Sequence, residues 1–585
     1  MAVSASGRRR AARRRDGGLG WLVRGAKRGG GMSGGKGVDG RIRLLRFVFI
    51  VFLVLVGGKA VALASSSGNL TKLALRQQTA TVALPAHRGA ILDRNGQELA
   101  VGKPAQTVYA TPYLLQHSAG AARELCAALQ IHTKRGQRAV AKALARHKSG
   151  FAFVARKVDP ELARAALALD LPGVGSYAEE ERTYPMKGSA AQVLGFAGID
   201  NNGLAGMELL YDKQLSGVAG SEVIVRDPAG RSLKTVRQTQ PVPGADVRLT
   251  LDEDIQYVAE DVLAHTVRSS FAKSATAIVM DPRSGEILAM ANVPQVKGNV
   301  FGRTPANDRN RAVTDVYEPG SIFKLVTISG ALADGLVTPT TRFTLPPSIT
   351  KYDRTINESH PRGTVNYSVR EILQWSSNVG AVKIGMKMGK ANLLKWIHAY
   401  GFGKPTGIEF PGEAQGIVPS ADQWSGTSIV NIPMGQGIAV TAVQMAAAFS
   451  TVANNGIAVT PRLVAQVGTK LTTVSGKHRV IPAHVAREVR SMLLTAVAAG
   501  TGTKAQIPGY DVAGKTGTAE IPLPDGSGYA KNTYVGSFIG MVPADHPRLV
   551  VLVAVNGTPM YGGDCAAPAV QKIMRFALQH LEIAP

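Results

Sequence analysis

Three short patterns in the C-terminal half of the chain hold residue types suited to covalent catalysis: Ser321-x-x-Lys324, Ser376-x-Asn378 and Lys515-Thr516-Gly517-Thr518. A serine hydroxyl is a weak nucleophile until a neighbouring base takes its proton. Pro319 and Gly320 break whatever precedes them. The following residues, as far as Gly335, read as one helix carrying Ile322, Phe323, Leu325, Val326, Ile328 and Leu332. Ser321 then falls in the first turn, where free N–H groups and the helix dipole favour developing negative charge. Lys324, three residues on, projects from the same face. It can act as a base only when neutral, so its pKa must be depressed. If the fold were to bring Lys515 to about 6 Å from it, repulsion would amount to about 2.8 kcal/mol at an effective dielectric of about 20, or roughly two pKa units. Desolvation would add to that.

The pair alone says little, because a chain of this composition yields Ser-x-x-Lys about twice by chance. Further copies stand at Ser33/Lys36, Ser270/Lys273 and Ser348/Lys351, and none of them opens a helix. Read singly, Ser321 and Lys324 describe a capped helix with a surface lysine. The ordered set is what is specific. A Ser-x-x-Lys at a helix start is followed 55 residues later by Ser-x-Asn, between the helical stretches 368–374 and 379–388. Lys-Thr-Gly-Thr then continues an extended run from Tyr510.

The elements around these residues imply two or three domains, since 585 residues exceed a single core. The net charge of +26 is concentrated at the N-terminus, where residues 1–46 carry 13 Lys and Arg against Asp16 and Asp39. No Lys/Arg stripe interleaved with aromatics follows, which argues against nucleic-acid binding. Residues 1–43 read as a disordered basic tail. Leu44–Ser65 is apolar and, at about 1.5 Å per residue, spans roughly 33 Å, enough for a transmembrane anchor. Basic residues ahead of it place the N-terminus in the cytoplasm and the rest outside. A cleaved signal peptide ending at Ala62-Leu63-Ala64 is the competing reading, but the preceding basic region is too long for one.

Residues 66–245 mix short strands (81–84, 90–92, 222–225), helices (121–129, 138–145, 160–169) and a turn at Asp227–Gly230, without a catalytic constellation. They read as a scaffold or pedestal. From residue 246 the pattern becomes α+β: a strand at 246–251, a helix at 255–267, a hairpin of 275–280 and 287–291, helices dominating 321–398 and 441–453, an antiparallel pair at 538–542 and 549–556, and a closing helix at 566–581. Cys126 and Cys565 are too few for a cysteine metal site, and no metal or cofactor is expected.

Two other motifs compete. Gly509-Tyr510-Asp511-Val512-Ala513-Gly514-Lys515-Thr516 fits the phosphate-loop pattern, which needs a helix starting at its Lys-Thr. Gly517-Thr518-Ala519-Glu520-Ile521-Pro522 follows instead, and it reads as a strand. Gly31-Met32-Ser33-Gly34-Gly35 matches a hydrolase elbow but lies in the basic tail without a preceding strand.

The three ordered motifs resemble those of penicillin-binding proteins and class A β-lactamases. With the anchor and pedestal, residues 41–580 are similar to class B penicillin-binding proteins. Arg88-Gly89-Ala90-Ile91-Leu92-Asp93-Arg94-Asn95-Gly96, Gly206-Met207-Glu208, Tyr561-Gly562-Gly563 and Ala566-Ala567-Pro568 fit that family. Asn310-Arg311 and Asp315-x-x-Glu318-Pro319-Gly320-Ser321 resemble its division-specific, FtsI-type branch. Cys565 departs from the small apolar residue common there. A β-lactamase is disfavoured by length, anchor and pedestal, and neither Glu409 nor Glu413 is identifiable as a deacylating base.

The resemblance implies an inner-membrane, single-pass D,D-transpeptidase cross-linking stem peptides at the septum, with the catalytic domain in the periplasm. It implies β-lactam binding and a complex with a membrane-embedded glycan polymerase. Ser321 would attack between two D-alanines, Lys324 would be the base, and Ser376 would relay a proton to the leaving amine. Asn378 would bind substrate amide, Lys515, Thr516 and Thr518 the terminal carboxylate, and the N–H groups of Ser321 and Thr518 the oxyanion. Gly517 sits within that last motif.

Overall fold

The computed structural model describes residues 37–65, 79–186, 188–226, 232–296, 308–352, 354–523 and 525–585. Most of the basic tail, the Asp227–Gly230 turn and the hydrolase-like Gly31–Gly35 lie outside them. The chain divides into two compact units, 1–80 and 81–585. In the first, Gly37–Ser65 is one 29-residue helix, starting seven residues before the apolar run. Its segment Gly40–Ser65 is long and apolar enough to cross a membrane.

The second unit is α+β. Its central sheet has five antiparallel strands in the order Ile287–Val293, Ser274–Met280, Leu549–Thr558, Tyr529–Val542, Ala513–Pro522. The anticipated hairpin and the pair around Asp545 both appear, and Leu549–Thr558 is inserted beside Ser274–Met280. Apolar residues occupy both faces, so successive positions enter different cores. Ala277, Val279, Val551 and Val553 pack with Ile255 and Leu263 of helix Glu253–Ser269 and with Ile573 and Met574 of the closing helix Gly562–His580. Ile278, Met280, Val550 and Leu552 pack on the other side with Phe323, Ile328, Phe449 and Leu493. Each such full burial contributes roughly 1.5–3 kcal/mol. Strand Ala513–Pro522 forms one edge, and helix Lys324–Ala333 lies on the second core, so the three motifs meet at that edge.

A second sheet runs across residue 246. Val247–Leu249 pairs with Val464–Val467 on one side and in parallel with Ile91–Leu92 on the other. Ile91–Leu92 continues the sheet into Glu98–Ala110, which pairs with both Ala152–Val158 and Val174–Thr183. Helices Ser118–Ala128, Lys134–Leu144 and Pro160–Leu167 cover this part, with Leu125, Cys126, Val140 and Leu144 buried against Val108.

The basic motif around Arg88 has a structural account. Arg88, Arg182 and Glu208 are all buried, and Glu208 receives Arg88 Nε at 2.8 Å and Arg182 Nε at 2.6 Å. Arg88 Nη1 also reaches Asp212 Oδ1 at 2.7 Å and the Asn201 carbonyl at 2.8 Å. Charges this deep persist only when paired and hydrogen-bonded.

The stretch 321–398 departs from expectation. Helix was expected to dominate 321–398, but 342–368 forms two hairpins, Arg342–Leu345 with Val365–Ser368 and Ser348–Lys351 with Arg354–Asn357. Pro339, Pro346, Pro347 and Pro361 interrupt helix there, and the intervening β-branched residues favour strands.

Candidate active site

Ser321 does not open an α-helix directly. Gly320–Phe323 is a 3-10 turn that leads into the α-helix Lys324–Ala333. The correction follows from Gly320, whose φ of +57° places the chain in the left-handed region just before the serine. A Cβ at Gly320 would also come within 3.2 Å of the Thr518 carbonyl oxygen. Gly517 shows the same closeness from the opposing strand, since a Cβ there would lie 3.1 Å from the Pro319 carbonyl and 2.3 Å from Ser537 Oγ. The nucleophile turn and the Lys-Thr-Gly-Thr strand are therefore in backbone contact.

Ser376 lies between helix Val369–Gln374, which Ser368 and Glu371 cap reciprocally, and helix Asn378–Ala399. Its φ is +57°, a conformation that costs a non-glycine residue about 1–3 kcal/mol. That backbone turns both its carbonyl and its hydroxyl towards the lysines. Lys324 Nζ donates to the Ser376 carbonyl at 2.6 Å, to Asn378 Oδ1 at 2.8 Å and to Ser376 Oγ at 3.3 Å. Lys515 Nζ donates to the same Ser376 Oγ at 2.8 Å, and to the Thr516 carbonyl at 3.0 Å. Both lysines are fully buried. The two amine nitrogens can be no further apart than their summed distances to Ser376 Oγ.

Burial lowers the Lys324 pKa to about 7, against the opposing pull of the Glu358 carboxylate. Burial, and then the charge of Lys324, also holds Lys515 well below the ordinary lysine range. The leading cause is thus desolvation, not the repulsion put first from sequence. With the Ser376 carbonyl and Asn378 Oδ1 holding two N–H groups, a neutral Lys324 has its lone pair free to face a hydroxyl.

A cavity of about 600 Å³ collects Ser321, Ser376, Asn378, Thr516 and Thr518 on one surface, with Arg354, His360, Tyr534 and Tyr561 around them. Thr516 Oγ1 shares a 2.7 Å hydrogen bond with Thr501 Oγ1, and Thr518 Oγ1 accepts from Gly562 N at 3.1 Å. Asn378 Nδ2 donates to the Asn357 carbonyl at 3.0 Å, leaving one N–H for a ligand. Lys515–Thr518 lies within strand Ala513–Pro522 and no helix starts there, so the phosphate-loop reading has no structural support. Glu409 contacts the Tyr211 hydroxyl at 3.1 Å and Glu413 holds Thr406; neither lines the cavity.

Glu358 escaped sequence reasoning. Its carboxylate accepts from Asn378 N at 2.8 Å and Ser377 Oγ at 2.6 Å at the start of the following helix, and it pairs with Arg362. It sits just past a hairpin that sequence had assigned to helix, so no local pattern pointed to it. Thr501 was equally silent, since its role depends on a strand that begins only at residue 513.

Two family models match this chain: the penicillin binding protein transpeptidase domain over residues 275–575, and the penicillin-binding protein dimerisation domain over residues 83–249. The chain is 34% identical over 568 residues to stage V sporulation protein D of Bacillus subtilis, covering 93% of this chain and 86% of that protein. It is 33% identical over 511 residues to the peptidoglycan D,D-transpeptidase FtsI of Escherichia coli, covering 85% and 84%. The crystal structure of penicillin-binding protein 3 of Mycobacterium tuberculosis complexed with aztreonam superposes with a TM-score of 0.68 at 28% identity, over 86% of this chain and 98% of that one. With two buried lysines, one of them on the central sheet's edge strand, converging on Ser376 Oγ, and matches spanning both domains, this chain belongs to the class B penicillin-binding proteins, in their FtsI-type branch.

Proposed function

We propose that this chain is a serine-type peptidoglycan D,D-transpeptidase of septal wall synthesis, and a penicillin target. The carrying observation is the convergence of two buried lysines on Ser376 Oγ in the cavity that holds Ser321. Neutral Lys324 takes the Ser321 proton as Oγ attacks the carbonyl between two D-alanines. The N–H groups of Ser321 and Thr518 receive the oxyanion. Ser376, hydrogen-bonded to both lysines, passes a proton to the departing D-alanine amine. Asn378 holds a substrate amide, and Lys515, Thr516 and Thr518 hold the terminal carboxylate beside Gly517. An amine of a neighbouring stem peptide then displaces Ser321 and completes the cross-link.

Residues 1–43 form a cytoplasmic basic tail, 44–65 anchor the chain in the inner membrane, 66–245 form the pedestal and 246–585 the periplasmic catalytic domain. The matched dimerisation and transpeptidase models support that division, and the apolar helix supports a single span. A membrane-embedded glycan polymerase is the partner that the family resemblance implies.

Intact-mass spectrometry of the detergent-solubilised chain with benzylpenicillin is the test. One stable adduct is expected on wild type, mapped to the Ser321 peptide and missing from Ser321→Ala. Rapid drug turnover, or no adduct on wild type, would sink the reading.

A further inference from the structure

Glu318 precedes Pro319-Gly320-Ser321 and is half-buried. Its Oε1 accepts two hydrogen bonds, from the Gly437 N–H at 2.8 Å and from the Tyr529 hydroxyl at 3.3 Å. Neither donor belongs to the nucleophile segment. Gly437 lies in 435–440, which is laced to that segment by reciprocal Tyr317–Val440 backbone bonds of 3.0 and 2.9 Å and by Gly320 N to the Gly435 carbonyl at 2.9 Å. Met434 and Gln436, on either side of Gly435, line the catalytic cavity. Tyr529 begins strand Tyr529–Val542 and stands opposite Pro522, at the far end of the strand carrying Lys515–Thr518. One carboxylate oxygen therefore joins three walls of the site: the serine turn, the 435–440 segment and the Lys-Thr-Gly-Thr hairpin.

Its other oxygen, Oε2, is buried and has no hydrogen-bond partner among the described residues. Burial raises the Glu318 pKa, against the lowering effect of its two donors and of Arg354. A carboxylate kept only for stability would gain more from full pairing. Here one oxygen is left unpaired while the other makes both contacts to the cavity walls.

We propose that Glu318 is a positioning residue for acylation, holding the Ser321 turn in register with the strand that supplies Lys515 and Thr518. The proposal rests on the reading of Ser321 as the acylated nucleophile. Glu318 does not touch the reacting atoms; it sets how far the serine turn can drift from the opposing strand. Displacing a catalytic group by about 1 Å costs about 10²-fold in rate, while a preformed cavity still binds its ligand.

The test is rapid-quench acylation of the full chain by benzylpenicillin, separating the pre-covalent dissociation constant from the acylation rate constant. Glu318→Ala is expected to lose about 10²-fold in the rate constant, with the dissociation constant changed less than about threefold. Glu318→Gln keeps a carbonyl oxygen for both donors and is expected to stay within about threefold of wild type. Tyr529→Phe, which removes one donor only, should fall between them and covers the case in which the alanine variant does not fold. Wild-type rates in both Glu318→Ala and Tyr529→Phe would overturn the proposal. So would a glutamine variant as slow as alanine, or a loss confined to the dissociation constant. A wild-type chain that forms no Ser321 adduct would instead bring down the underlying reading.

Discussion

Lys324 and Lys515 are large, fully buried cationic residues whose six partner contacts lie within a few ångströms of one serine. Because burial depresses Lys324 to about 7, its neutral form predominates only above that pH. The acylation rate constant should therefore rise about tenfold per unit below pH 7 and level off above it. Glu358 pulls in the opposite direction, favouring the protonated amine. Glu358→Gln should shift the rising limb to lower pH, and a stopped-flow pH profile would show an unmoved limb if Glu358 had no influence. The residues of the three motifs were legible in the sequence because each is tied to its neighbour by short spacing. Glu358 and Thr501 were not, because they are joined to the site only by tertiary contact.

At the level of elements, period and composition located the central hairpin, the closing helix, and the two helices flanking Ser376. They failed at Glu98–Ala110, where Gly102 and Pro104 look like a break. Pro104 stands opposite Glu180 of Val174–Thr183, at a point where the strand's other side is unpaired, between the stretches bonded to Ile91–Leu92 and to Ala152–Val158. Val174–Thr183 was missed for a similar reason: three consecutive glutamates disguise a strand whose pairing comes from Glu98–Ala110. Helix Glu253–Ser269 carries its own liability in Glu260. Its carboxyl accepts from Ala190 N at 2.9 Å and Gln295 Nε2 at 2.7 Å, and burial pushes its pKa up to about 7. A raised carboxyl pKa gives stability that is complete below its unfolded value of about 4.3 and is lost as pH climbs through about 7. Thermal melts should therefore show Glu260→Gln gaining on wild type between pH 5 and pH 8, and a constant difference would refute the assignment.

For the molecule as a whole, the Arg88–Glu208–Arg182 cluster is an ionic core far from the catalytic cavity in sequence and chemistry. Removing its only fully buried carboxylate leaves two guanidinium groups buried without that partner. Glu208→Ala should destabilise the fold by about 3–5 kcal/mol in urea denaturation. The acylation rate constant of the remaining folded protein should stay at the wild-type value. A loss below about 1 kcal/mol would show that the cluster is far more hydrated than its burial indicates.

Long-range pairings in the sheet that crosses residue 246 and in the central sheet also dictate an order of events during synthesis. Val247–Leu249 waits for Val464–Val467, and Ser274–Met280 waits for Leu549–Thr558. At about 5–20 residues per second, the roughly 220 and 270 intervening positions take about 10–55 s to emerge. For all that time the chain carries unpaired strand edges, which makes it a natural client for chaperones and proteases. The serine turn is in the same position, because its opposing strand is made almost last. A nascent chain that already contains Ser321 is therefore no target for a β-lactam until residue 518 has joined it.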